Sequence, residues 1–442
     1  MQKSEYFVKS GNNVDLGCNL PKTIGLDKYS LCCGGAFLHI FKYRAQPPLL
    51  WRIIPSGGTK IKYRGDSPFL DRLFWIKSLF GRAAFQPKKR RDMADFSFVV
   101  PVYKIPRDML RECVDSLTNQ TYREVEIVLV DDGSPDDCGK ICDERAGLDS
   151  RIKVVHKRNG GAAAARNAGL AVCNSLWVTF VDGDDWVDSD FVESFLNRIR
   201  KQEKKADFYI YNGYRNNSDA EVAKAPYYED GKRFESYSER ESLQIQCFRG
   251  PAEEKRKDML FIDSPWAKVY CRDFLNKNEL TFMDIPYSEG CVFFLYAVEK
   301  AQTVEYVSKP VYHYRYFKDS TVNQYAPNAD KEQTLLLEKI FEFSERFGKT
   351  ESFKNNIYLR VFQSMRRCLL KKYYHESNPR KGLARFLECE RFFRQKPYRD
   401  VYRRLKFFEL AKRNRILYIL LRLKLYGVFI TLRDLYRKKR RR

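Results

Sequence analysis

The chain has 442 residues, 44% of them apolar, which suffices for two or three domain cores and excludes a disordered tail protein. Its formal charge is +24, and residues 401–442 hold fifteen Lys/Arg against two acids, so the excess is concentrated rather than spread. That asymmetry points to an anionic partner for this region, either a membrane surface or nucleic acid.

Twelve cysteines and four histidines show no paired metal spacing. Free thiols in a reducing compartment are therefore expected, with no zinc site. "MQKSEYFVKSGNN" has no apolar run fit for a secretory signal, and no stretch reaches the roughly 18 uncharged apolar residues of a membrane span. A cytoplasmic protein is expected. Residues 1–65 lack periodicity and receive no fold. "SPFLDRLFWIKSLFGRAAF" from Ser67 reads as a short helix with Pro68 at its first position, and "PKKRRD" as a solvated linker. Residues 1–91 are thus an N-terminal extension without an assigned fold.

From residue 96 the pattern becomes regular. "FSFVVPVY" predicts a strand, "RDMLRECVDSLTNQ" a helix burying Met109, Leu110, Cys113, Val114 and Leu117, and "VEIVLVDDGS" a second strand. A polar helix, the strand "RIKVVHK", a Gly/Ala-rich helix from 161 and the strand "LWVTFVDGDD" follow. This alternation predicts an α/β, doubly wound, mostly parallel sheet with ligands beyond the carboxyl ends of its strands. After about 325 the chain reads as helical, aromatic and basic.

The acids fall at predicted strand ends. Asp182 and Asp184 flank Gly183, with Asp185 next; a D-x-D can hold a hard divalent cation, and the alternative is a helix start capped by Asp188 or Ser189. "DDGSPD" at 131–136 is strong turn chemistry. "NGGAAAARNAGL" at 159–170 places Arg166 early in a helix, where it can reach a phosphate or a pyrimidine edge or stand on the surface.

"VVPVYK", "DSLTNQTYREVEIVLVDDGSPD", "NGGAAAARNAGL" and "VTFVDGDDW", in that order and spacing, resemble the family 2 glycosyltransferases of the GT-A fold, closely over 96–200 and loosely over 260–320. The resemblance implies a Rossmann-like catalytic domain at 92–325 and leaves 326–442 as a helical, basic C-terminal region. It implies an enzyme of the bacterial cell-surface glycan type. Such an enzyme moves a sugar with inversion from a nucleoside-diphosphate donor, UDP-linked by preference, to a glycan or polyprenol-linked acceptor.

Carried over residue by residue, Asp131 and Asp132 recognise the base, Pro101 and Tyr103 line its pocket, and Arg166 touches the nucleotide. Asp182 sits near the ribose, and Asp184 holds Mn2+ or Mg2+, with Asp182 and His313 as further ligands. His313, flanked by tyrosines, has packing in a strand as its other reading. Arg315 could face phosphate, and Trp266 stacks on a sugar or packs in the core.

The family's base is the Asp of a Glu-Asp pair. Here "IPYSEGCVFFLYAVEKA" offers Glu289 followed by Gly290, so Glu289 or Asp284 takes the role, or the protein is a catalytically impaired nucleotide-sugar-binding protein. "QSMRR" lacks the Trp of a processive Q-x-x-R-W, which favours single-sugar addition. The basic region is read as peripheral contact with an anionic membrane. No nucleic-acid motif accompanies its charge, so no nucleic-acid partner is expected.

Overall fold

The computed structural model describes strands 26–33, 36–43, 51–55 and 61–63, and then residues 94–217, 220–223, 226–249, 262–316 and 324–439. The chain divides into two compact units, 1–92 and 93–442. In the first, β1 (Leu26–Cys33), β2 (Ala36–Tyr43), β3 (Trp51–Pro55) and β4 (Ile61–Tyr63) form an antiparallel sheet in sequence order. The sequence reading assigned no fold here, although Gly34-Gly35 between β1 and β2 is a hairpin signal. The helix expected from Ser67 lies outside the described residues.

The second unit opens with β5 (Phe96–Val102), α1 (Arg107–Thr118), β6 (Val125–Asp131), α2 (Cys138–Leu148), β7 (Ile152–His156), α3 (Gly161–Val172) and β8 (Trp177–Phe180). β6 is buried along its whole length, as both faces of a helix-covered parallel sheet demand. The chain then forms β9 (Trp186–Val187), α4 (Phe191–Arg200), β10 (Phe208–Asn217), β11 (Ala220–Ala223), β12 (Arg233–Phe234), α5 (Tyr237–Gln246), β13 (Lys268–Cys271) and α6 (Arg272–Lys277). α7 (Glu289–Lys300) and β14 (Val304–Arg315) complete the sheet region.

The strand order is β12-β14-β10-β13-β8-β5-β6-β7. β5 pairs in parallel with both β6 and β8, so successive strands first step one way and then return to the other side of β5. That reversal opens a crevice at the carboxyl ends of β5 and β8, where open α/β sheets bind ligands. β13 runs antiparallel between β8 and β10.

The helices that follow include α8 (Ala329–Arg346), α9 (Glu351–Cys368), a π-helical turn at Leu369–Tyr373, α10 (Gly382–Phe393), α11 (Val401–Arg404), α12 (Lys412–Arg422) and α13 (Tyr426–Lys439). They share one apolar core with the sheet, running from Val99 and Phe180 through Phe293 and Leu295 of α7 to Phe362, Cys389 and Tyr426. Thr350 caps α9 by accepting from the Phe353 N–H at 3.2 Å, and its hydroxyl donates to Glu241 of α5 at 2.6 Å. Lys349, fully buried, pairs with Glu299 of α7. No described helix is long and apolar enough to cross a membrane.

α3 lies unusually close to the sheet because Gly169 faces it. A Cβ there would stand 2.3 Å from Val99 Cγ1 and 3.1 Å from Val130 Cγ2. Gly169→Ala is therefore expected to lower stability by about 1–3 kcal/mol through overpacking, read as an earlier urea midpoint. An unchanged midpoint would mean that α3 can back away from the sheet.

Candidate active site

Three strand ends meet at the crevice. Val102 pairs in register with Asp131, the Asp132 N–H donates to the Val102 carbonyl at 2.9 Å, and the Val181 N–H donates to the Val99 carbonyl at 3.0 Å. The loop after β8 and the loop after β6 thus flank Pro101 and Tyr103 from opposite sides. Pro101 is half-buried, and Tyr103 is exposed at the mouth. Beside them a hollow of about 370 Å³ opens between Lys104–Arg107 and Asp136–Ile141.

The aspartates of 182–185 are handled one at a time. Asp185 is 1% exposed; the Tyr312 hydroxyl donates to it at 2.6 Å and the Arg315 N–H at 2.8 Å. Burial, with Asp184 and Asp182 close by, holds its carboxyl well above the usual range. Asp182 accepts from Arg166 at 2.6 Å. The Asp184 carboxylate enters no ion pair with a described residue. Burial, and then the Asp182 charge, push it up to about 6.

Among the described residues no three His/Cys/Asp/Glu side chains are grouped to hold a metal by themselves. The unneutralised Asp184, with Asp182 two residues away, still fits Mn2+ or Mg2+, which commonly take one or two carboxylates and complete their shell from substrate phosphates and water. No helix is capped by Asp188 or Ser189: the first residue flanking α4 is Asp190, without a side-chain cap bond. Asp188 instead accepts from His313 Nε2 at 2.8 Å.

Arg166 joins the two halves of the site. It is 3% exposed, with Nη2 on Asp182 and Nη1 on Glu289, both at 2.6 Å, while its Nε has no partner among the described residues. Burial opposes its charge, and the two carboxylates more than offset that. The next residue, Asn167, clamps the loop before Glu289: its Nδ2 donates to the Phe282 carbonyl, and its Oδ1 accepts from the Phe282 N–H, each at 2.8 Å. Asp284 lies exposed on that loop.

The loop is gripped from α9 as well. Arg360 donates to Ser288 Oγ at 2.7 Å, and the Arg367 guanidinium lies 3.7 Å over the Tyr287 ring. Gly290 packs into backbone: a Cβ there would stand 2.8 Å from Pro265 Cδ and 2.9 Å from the Asp263 carbonyl oxygen. The acid that the family pattern expects at this position has no room.

On the other side of the crevice, Asp131 and Asp132 organise loops. Asp132 is 2% exposed, and its oxygens accept from the Gly160 N–H at 3.0 Å, the Gly161 N–H at 2.7 Å and Lys157. Asp131 accepts from the Ser134 N–H at 2.9 Å and stands 3.0 Å from His156 Nδ1, whose Nε2 faces Asp143 at 2.9 Å.

His313, Trp266 and Arg315 are engaged in packing and ion pairs around the site, which for His313 and Trp266 is the second of the two sequence readings. His313 is stacked between Trp186 and Tyr214, at 4.8 and 4.4 Å, and directs Nε2 at Asp188 rather than at the aspartates of 182–185. Trp266 is buried against Tyr312, which assigns it to the core. Arg315 donates to the Asp184 carbonyl at 2.8 Å and pairs with Glu112 at 2.6 Å, tying β14 to α1. Asn167, Arg360 and Arg367 were missed. Adjacency to Arg166 was a signal for Asn167; the two arginines carry none, because nothing local links α9 to residues 287 and 288.

The chain is similar to known glycosyltransferases in sequence and in fold. The model of the family described as Glycosyl transferase family 2 matches residues 97–263. The uncharacterized glycosyltransferase EpsJ of Bacillus subtilis is 30% identical over 267 residues, 60% of this chain and 74% of that protein. Glycosyltransferase GlyG of Streptococcus pneumoniae is 44% identical over 119 residues, 27% of this chain and 38% of that one. Among solved structures, S. aureus TarS 1–349 in complex with UDP-GlcNAc superposes with a TM-score of 0.51 at 19% identity, covering 78% of this chain and 92% of that one. At that identity the superposition speaks for the fold alone.

Two outcomes follow from the buried charges. Asp184 keeps a proton in the folded state up to about pH 6, whereas the unfolded carboxyl loses it near its ordinary 3.8. Metal-free protein therefore loses stability as pH rises through that window. Asp184→Asn should melt higher than the parent above pH 6 in chelator, and the gap should close below about pH 4 by thermal denaturation. Gly290→Asp should lower the melting temperature and give no gain in turnover; a stable, faster variant would show that the backbone at 263–265 yields.

Proposed function

This chain belongs to the family 2 glycosyltransferases, and we propose that it transfers a single sugar with inversion from a UDP-sugar to a glycan or lipid-linked saccharide. The observation that carries the reading is Arg166, which joins Asp182 beside the donor crevice to Glu289 at the start of α7. The UDP and UDP-GlcNAc complexes of the TarS neighbour support the choice of donor.

In this reading Glu289 accepts the proton of the acceptor hydroxyl as its oxygen attacks the anomeric carbon, and the nucleoside diphosphate departs from the opposite face. Arg166 aims Glu289, while Asn167, Arg360 and the Arg367–Tyr287 stack hold its loop in place. Pro101, Tyr103, Asp131 and Asp132 shape the base end, with both acids acting through the loops they pin. Asp184, with Asp182, would hold Mn2+ or Mg2+, whose charge stabilises the leaving diphosphate. His313 is the weaker candidate for a third ligand, and exposed Asp284 the alternative base. The catalytic region is assigned to 92–325 and the helical region to 326–442, with the enzyme at the cytoplasmic side of a membrane.

Gly290 favours a second reading, a nucleotide-sugar-binding protein of the same fold without turnover. One experiment separates them: release of nucleoside diphosphate from a panel of nucleotide sugars, with manganese and crude polyprenol-linked acceptors. Glu289→Gln should retain nucleotide binding and lose turnover by about 10²-fold or more, as removal of a general base does. Asp184→Asn should lose metal-dependent nucleotide binding. Binding without release in the parent, across the whole panel, would favour the second reading.

A further inference from the structure

We infer that α12, α13 and the turn between them form a docking face for an anionic lipid bilayer. α12 buries Leu417, Tyr418, Leu420 and Leu421 in the core and turns Ile416, Ile419 and Leu423 outward, 44–61% exposed. α13 anchors itself through Tyr426, which donates to Glu390 and packs on Phe393 at 5.7 Å, and turns out Val428, Leu432 and Leu435, 45–58% exposed. The spacings 416-419-423 and 428-432-435 each place three aliphatic side chains on one helical face.

The two helices are neighbours, and Leu425 in the connecting turn is also exposed. Just upstream, Arg415 donates to the carbonyls of Leu410 and Phe408, and Phe408 stands 81% exposed. Among the described residues, eight of the sixteen exposed large apolar side chains fall in 408–435. That half of them fall on two adjacent helices and the segment leading into them is the concentration expected of an interaction surface.

Charge selects the occupant. The face lies in the segment with fifteen Lys/Arg and two acids, and one of those acids, Asp434, is engaged by Arg433 at 2.6 Å. A second copy would present the same positive field to itself. A bilayer with anionic headgroups offers both the apolar layer for the aliphatic rows and counter-charge for Lys412 and Arg422 beside them. Helices of eleven and fourteen residues lie on a bilayer rather than across it. This inference deepens the lipid-linked-acceptor reading, but it is tested without turnover, so either can fail alone.

The test is sedimentation of the full chain with phosphatidylcholine vesicles, with and without phosphatidylglycerol, over a salt series. The parent should bind only the anionic vesicles, less as salt rises. The combined variant Ile419→Ser, Leu423→Ser, Val428→Ser and Leu432→Ser should bind at least about tenfold more weakly, with an unchanged melting temperature. Lys412→Glu with Arg422→Glu should do the same without touching the apolar rows, which keeps the test decisive if the first variant is unstable. Equal binding to neutral vesicles, no binding, or a concentration-dependent dimer abolished by the serine set would overturn the inference. Salt-sensitive binding of the parent to anionic vesicles that both variants lose, with no turnover in any assay, would uphold the docking face and count against the glycosyltransfer reading instead.

Discussion

The site depends on one buried cation. Arg166 lies under the crevice with a carboxylate from the β8 loop on one end of its guanidinium and a carboxylate from the start of α7 on the other. The planar fork can hold both at once, which a lysine could not do with the same geometry. The arrangement is interdependent: removal of one partner from a buried pair leaves an uncompensated charge and costs about 3–5 kcal/mol. The loop after β8 and the start of α7 are consequently held at a fixed separation by electrostatics as well as by packing.

The same logic accounts for the concentration of acids around the crevice. Among the described residues, Asp131, Asp132, Asp182 and Asp185 accept from backbone or side-chain donors, whereas the Asp184 carboxylate enters no ion pair and is raised by burial and the Asp182 charge. Asp131 and Asp132 stabilise the loops between β6 and α3 through backbone N–H groups, Lys157 and His156. The order of strands then brings these loops and the loop after β8 to opposite flanks of β5, because β8 returns to β5 after β7 has been laid down on the far side. Shape at the crevice is therefore a consequence of topology, and its charge is a consequence of which acids the loops satisfy internally.

The helices after residue 326 are part of the machinery's support. They continue the apolar core of the sheet through α7, and from α9 they place Arg360 and Arg367 on the loop that leads into Glu289. That loop is held by Asn167 on the sheet side and by α9 on the other, while Gly290 lets the first turn of α7 press onto the backbone at 263–265. The departure from the Glu-Asp pattern thus has a steric cause. Among the described residues, α12 and α13 each leave a row of three aliphatic side chains uncovered.

Local sequence determined much of this. Buried runs such as "EIVLV" and "WVTF", ended by acids and glycine, specify strands that deliver Asp131, Asp132 and Asp182 to one end of a sheet, because strand burial and turn chemistry are read within a few residues. The α/β class and the helical region after 325 follow from the same local periodicities. The strands in 26–63 were not legible, since short antiparallel pairs without clear alternation carry little periodic signal. Tertiary structure alone decided the partners: Arg166 meets Glu289 across 123 positions, His313 faces Asp188 across 125, and Arg360 meets Ser288 across 72. Such pairings are set by strand order and helix packing, which no window of sequence contains, and they determine which charges are already satisfied and which remain available to a ligand.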